Sequence, residues 1–173
     1  MTIEDWTAQP GPLSGDRLDL EPLGVGHAEE MAPVLADPAL HTFTGGEPAT
    51  LEQLRDRYAR QAGGWSPDRS QRWLNWVVRR REDARAVGFV QATVTCPTGL
   101  LTAEVAWVIA LADQGHGYAG EAAQVMVDWL RRHGVRDLVA AVHPEHEASN
   151  RVARRIGLTP TREVVDGEVC WVG

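Results

Sequence analysis

The chain has 173 residues, 43% of them hydrophobic, enough for one domain with its own core and too apolar for a disordered chain. Its net charge of −7 and pI of about 5.3 exclude the cationic surface that a nucleic-acid binder needs. No apolar run reaches the length of a membrane span, Met1–Trp6 has neither the basic nor the apolar region of a signal peptide, and Cys96 and Cys170 lie far apart outside any motif, so a cytoplasmic protein with reduced thiols is expected.

Residues 1–15, with Pro10-Gly11-Pro12, predict an irregular lead-in, and 16–173 a single domain. Arg17–Glu21 alternates polar and apolar residues, as a short strand does. Gly24–Asp37 has Ala28, Met31 and Leu35 at helical spacing, but Pro33 costs about 3 kcal/mol inside a helix and predicts a kink or a late start. Pro38–Pro48 is a loop. Thr50-Leu51-Glu52-Gln53 is a capping box, and the helix it starts places Leu51, Leu54 and Tyr58 on one face and stops at Gly63-Gly64.

The period then changes to two. Trp73–Arg79, Ala86–Thr95 and Thr102–Ile109 read as three strands joined by short turns, hence antiparallel neighbours. Arg79-Arg80-Arg81 reads as a solvated turn. Ala119–His133 reads as an amphipathic helix with cations and Gly134 at its end. Leu138–Val142 follows that crossover helix and must run parallel to the strand before it. A second helix spans about Glu147–Arg155, and Asp166-Gly167 joins two final strands as a tight hairpin. The order predicts a mixed α/β (α+β) fold, a mostly antiparallel sheet of seven strands with helices on both faces. Trp73, Trp76, Trp107 and Trp129 are expected in the core. Trp65 and Trp171, near a loop and a terminus, are candidates to line a pocket.

The chemistry centres on Gln114-Gly115-His116-Gly117-Tyr118-Ala119-Gly120, between the third of those strands and the amphipathic helix. Glycines there expose backbone amides at a positive helix terminus, a site for a phosphate or pyrophosphate. Gly115-x-Gly117-x-x-Gly120 matches a dinucleotide fingerprint, but Ala110–Gln114 separates it from its strand. Only 53 residues follow Gly120, too few for the rest of such a domain. The next strand ends in His143 where that fold needs an acidic residue.

Gln114-x-x-Gly117-x-Ala119 instead resembles the coenzyme A loop of the GNAT acetyltransferases, Gln/Arg-x-x-Gly-x-Gly/Ala. His143–Leu158 resembles that family's next strand-to-helix segment, and Leu13–Leu20 the opening of its ribosomal-protein alanine N-acetyltransferase (RimJ/RimL-like) branch. The resemblance covers residues 16–172 and implies a sheet splayed between its fourth and fifth strands. It implies direct transfer of an acetyl group from the cosubstrate acetyl-CoA, without a metal, to a primary amine of a small molecule or a peptide N-terminus. The alternative is a GNAT-like module that binds acyl-CoA with weak or no catalysis. Neither nucleic acid nor membrane is implied as a partner, and a homodimer is compatible with the resemblance.

By the same resemblance, Gln114, Gly115, His116, Gly117, Tyr118, Ala119 and Gly120 would hold the pyrophosphate, with backbone near Val108 and Ile109 pairing with pantetheine. His146 stands where the family usually has Asn and, with Asn150, would contact the pantetheine arm or order its loop. Ala153 replaces a tyrosine that many members use to protonate the thiolate, and Leu158 replaces a common Phe. Glu104, on one strand face with Ala106 and Val108, is the candidate base, and Ser149 the candidate acid or thiolate partner. His143 and His146 sit at the end of a parallel strand and could relay protons. Lacking further Cys or His ligands, they predict no metal site. Glu121 reads as a surface residue balancing the helix dipole. The acceptor is expected between Pro38–Pro48 and the Asp166-Gly167 hairpin, with Asp37, Glu47, Asp166 and Glu168 as an acidic rim.

Overall fold

The structure, a computed structural model, describes all 173 residues. One sheet runs through it in the order β1-β2-β3-β4-β5-β6-β8-β7. The strands are β1 (Leu13–Ser14), β2 (Leu18–Pro22), β3 (Arg72–Arg80), β4 (Ala86–Thr95), β5 (Thr102–Ile109), β6 (Asp137–Val142), β7 (Thr159–Val165) and β8 (Glu168–Val172). Eight strands stand where seven were expected, because Leu13 and Ser14 pair with Leu20 and Asp19 inside the segment read as irregular. Every pairing is antiparallel except β5 with β6, the pair joined by a crossover helix.

Helices α1 (Ala28–Val34) and α2 (Leu51–Ala62) cover one face, and α3 (Tyr118–Arg132) and α4 (Glu147–Arg155) the other. A 3₁₀ turn, Val25–His27, precedes α1, and Pro33 lies one residue before its end, so this helix starts late and stays short. The capping box of α2 forms, with Thr50 N–H on Gln53 Oε1 at 2.9 Å and Gln53 N–H on Thr50 Oγ1 at 3.2 Å. Leu54 and Tyr58 of α2 pack with Met31, Val77 and Ala86. Burial pushes the Tyr58 phenol up to about 12. Asp166 and Gly167, both with positive φ, make the tight β7–β8 turn.

Most of the core lies between the sheet and α3/α4. Trp76 and Trp6 both meet Trp129 edge to face, at 5.7 and 6.2 Å between ring centres. Their indoles donate to the carbonyls of Gly11 and His133, so the lead-in straps across the domain. Trp73 and Trp107 are only half-buried, whereas Trp171 is 2% exposed and belongs to the core. The hairpin folds β8 back between β6 and β7, which carries Trp171 inward despite its terminal position.

Candidate active site

The sheet splits where β5 and β6 part. They pair only at Thr102–Asp137, Ala103–Leu138 and Glu104–Val139. Beyond Glu104, β5 stays with β4 out to Gly88–Ile109, and β6 turns to β8. In an antiparallel strand the N–H and C=O of one residue point to the same side and alternate along the chain. Ala110 N–H donates to Val87, so Val108 also faces β4, and the backbone of Trp107 and Ile109 faces the split. The free edge expected near Val108 and Ile109 therefore belongs to Trp107 and Ile109. The Ile109 carbonyl already accepts from Gln114 Nε2 at 3.0 Å. Ile109's side chain is in the core.

Gln114 begins the glycine loop by fixing it to the end of β5. The buried Asp113 before it receives the two-pronged guanidinium of Arg85 from the β3–β4 turn. Gly115 (φ 82°) and Gly117 (φ 80°) take left-handed backbone that other residues resist. His116 stacks on Tyr118 and lies 3.1 Å from the Asp113 carbonyl. As a result the six amides from Gly115 through Gly120 have no acceptor in the protein, and the first intrahelical bond of α3 starts at Glu121 N–H. They converge on the positive end of a 15-residue helix.

Three arginines that sequence reasoning did not assign to this loop surround it. Arg17 donates to the His116 carbonyl at 2.9 Å and lies over the Tyr118 ring at 5.0 Å. Its N–H and Nε are held by the Glu121 carboxylate at 2.7 and 2.8 Å. Glu121 is thus 8% exposed and a latch, not a surface residue. Arg80 is paired with Asp83, whose carboxylate raises its hold on its proton. The stem of Arg155 crosses α3 at Gly120, where a Cβ would stand 2.8 Å from its Cδ, so Gly120 also serves helix packing.

Across the split, the Trp107 indole donates to Ser149 Oγ at 3.2 Å, which leaves the hydroxyl proton free to donate. His146 caps α4, its Nδ1 accepting Ser149 N–H at 3.4 Å, and Phe43 stacks on it at 4.5 Å. Burial, then the nearby His143, holds the His146 imidazole below its ordinary range. His143 Nδ1 accepts Glu145 N–H and its ring meets Phe43 at 5.1 Å. Asn150, 6% exposed, gives its amide to the Pro144 carbonyl, an ordering role for the turn before α4. Ala153 is fully buried, and Tyr58 and Tyr118 both lie on other elements, so no tyrosine stands at its place.

Glu104 lies between Thr93 and Val139 on the face turned toward α2, with Ala106 and Val108 beyond it. Its carboxylate is exposed and pairs with no cation. Next to it, Arg57, Arg60 and Gln61 of α2 overhang Trp73, Asn75, Gln91 and Thr93 across a cavity of about 220 Å³. Arg57 and Arg60 make the rim of this cavity cationic. Asp37 is spent capping a 3₁₀ turn through Ala39 N–H, and Asp166 stands at the tip of the hairpin. No group of three His, Cys, Asp or Glu side chains is placed to hold a metal, and no helix is long and apolar enough to cross a membrane.

The sequence profile of the acetyltransferase (GNAT) domain matches residues 17–159, most of the chain. The chain belongs to the GNAT acetyltransferase family. The glycine loop and the split between β5 and β6 both lie within the matched residues. No curated protein sequence matches it. Among solved structures, this GNAT chain superimposes on a GNAT-family acetyltransferase from Bacillus anthracis with a TM-score of 0.75 at 19% identity, over 94% of this chain and 97% of that one. RimL, a ribosomal L7/L12 α-N-protein acetyltransferase solved with coenzyme A, gives 0.72 at 16%, over 95% and 96%. The microcin C7 self-immunity acetyltransferase MccE, solved with acetyl-CoA and AMP, gives 0.73 at 13%, over 91% and 92%. A ribosomal-protein acetyltransferase is thus among the neighbours of a chain whose opening segment resembles that branch.

Proposed function

We propose that this GNAT protein transfers an acetyl group from acetyl-CoA directly to a primary amine of a small molecule or a peptide N-terminus. The observation that carries the reading is the row of six unpartnered amides, Gly115–Gly120, beside a sheet that opens at Trp107 and Ile109. Those amides fit a pyrophosphate, and Arg17, Arg80 and Arg155 add charge around it. When bound, the coenzyme supplies the activated thioester carbonyl.

The remaining work belongs to the chain. The free edge of Trp107 and Ile109 pairs with an extended arm as an added strand would, and an N–H there can donate to the carbonyl oxygen as negative charge develops on it. Glu104, open to the acceptor side, takes the ammonium proton through water. Ser149, its Oγ accepting from Trp107, keeps a hydroxyl proton to give to the leaving sulfur. Holding the amine against the carbonyl supplies most of the acceleration. A thiol-release assay with acetyl-CoA and a panel of amines tests this. Turnover with an amine and recovery of its acetyl derivative are expected, whereas saturable coenzyme binding without turnover would make the chain a binding module instead.

A further inference from the structure

The cavity under α2 carries more positive charge than a protein of net charge −7 leads one to expect. Arg57 and Arg60 point over it, and neither pairs with a carboxylate. No carboxylate lines the cavity, and the side chains of Gln61, Asn75, Gln91 and Thr93 make no hydrogen bond within the protein. A second cavity of about 130 Å³ adjoins it through Gln61, Trp73 and Asn75. Its wall includes Arg72, 4% exposed, with only the Ala8 carbonyl and Gln9 Oε1 as acceptors and its Nε unpaired. Burial without a counter-charge lowers the hold of Arg72 on its proton. Arg72 stands on the opposite sheet face, with Leu74 and Trp76, whereas Arg57 and Arg60 face the first cleft with no carboxylate partner, two exposed cations free to meet an anion.

We propose that this cleft is an oxyanion subsite, and that the acceptor is a compact molecule bearing a carboxylate or phosphate close to its amine. The amine half of this statement rests on the acetyl-transfer reading, and the anion half does not. Distance sets the compactness. Thr93, in the cavity, is the direct cross-strand partner of Glu104, and Asn75 lies one further strand away through Gln91. Neighbouring strands are about 4.8 Å apart, so anion and base are within roughly 10 Å. A volume of about 220 Å³ is also small beside the roughly 300–1,000 Å³ of pockets for drug-sized ligands. A peptide N-terminus has a neutral carbonyl next to its amine and leaves both arginines unpaired. An amino acid or an amino-phosphate fills the site.

Two measurements separate the halves of the proposal. Inorganic phosphate and acetate, added to the protein with backbone amide NMR as readout, should shift Gln91 and Thr93 in the wild type, and less in Arg57→Gln/Arg60→Gln. Both arginines are exposed on α2, so the double variant should fold. In the thiol-release assay, an α-amino acid and an aminoalkyl phosphate are each compared with a matched neutral amide or alcohol. At least one anionic member should exceed its neutral partner in kcat/KM by about 10-fold or more, as for hydrogen bonds to charged groups, and the double variant should bring the ratio near one. The better anion identifies which oxyanion the site takes. Equal shifts in wild type and variant, or a neutral acceptor that equals its anionic partner, would overturn the subsite. Phosphate binding without turnover of any amine would leave the subsite standing and refute acetyl transfer.

Discussion

Gly117 offers a way to separate backbone strain from charge at the coenzyme loop. Its φ of 80° lies where an L side chain costs about 1–2 kcal/mol, and the nearest atom to an added Cβ is Arg17 Nη2 at 3.6 Å, an ordinary contact. Gly117→Ala should therefore lose about 1–2 kcal/mol of stability, a drop of about 2–8 °C in Tm for a chain of this size. Strain common to the free and bound forms cancels in binding, so acetyl-CoA affinity should fall by no more than the strain itself, up to about 30-fold if the free loop relaxes. Gly117→Glu has a similar strain and adds a negative charge among amides aimed at a pyrophosphate. At roughly 5 Å and an effective dielectric of about 20, one unit charge against another is worth about 3 kcal/mol, less after salt screening of an exposed loop. The glutamate variant should bind acetyl-CoA at least about 10-fold more weakly than the alanine variant. Calorimetric titration of both, with melting curves without coenzyme, measures the two effects separately. Equal affinities for the alanine and glutamate variants would show that no phosphate sits on this loop.

Glu104→Gln should lower kcat/KM by about 10²–10⁴-fold at neutral pH, and by less as pH rises to where the acceptor amine is already neutral. A wild-type pH–rate profile in that variant would remove Glu104 from the reaction. Glu121→Ala strips Arg17 N–H and Nε of a shared carboxylate, and should cost about 2–4 kcal/mol, or about 4–16 °C in Tm by differential scanning calorimetry. An unshifted melt would mean that the latch does not hold β1–β2 to α3. His146 is held below its ordinary value near 6.5, so the unfolded chain takes up its proton first as pH falls. That neutral-histidine contribution is complete above pH 6.5 and is lost progressively below it. Wild-type Tm should therefore decline more steeply than that of His146→Asn on acidification from pH 7.5. Parallel curves would contradict the assignment.

Local rules made much of the fold legible. The capping box at Thr50 and Gln53, the Asp166-Gly167 turn and the change of period at Trp73 each act within a few residues, and each forms as the sequence implies. Alternation alone placed Glu104 on the face with Ala106 and Val108, and the glycine loop and its helix start stood in the sequence outright. Long-range packing decided the rest. Arg17 reaches the loop from a residue 104 positions before Glu121, a contact with no periodic signature. Leu13-Ser14 is too short to read as a strand until Leu20 and Asp19 pair with it. Trp171 is buried because the last hairpin returns inside the edge strand β7, which no terminal sequence announces. The free edge at Trp107 and Ile109 depends on which side of β5 meets β4, a register that hydrophobic pattern does not fix. The cationic cleft, too, needs α2 laid over β3 and β4 before Arg57 and Arg60 face Gln91 and Thr93.

In the proposed complex the amides of Gly115–Gly120 grip the coenzyme while the split at Trp107 and Ile109 receives its arm. Backbone amide NMR of the full chain, titrated with acetyl-CoA, reports on each of these groups separately. The largest, saturable shifts are expected at Gly115–Gly120, with Trp107 and Ile109 following at the same ligand concentration. Saturation with those eight amides unmoved, and shifts confined to other parts of the chain, would contradict it.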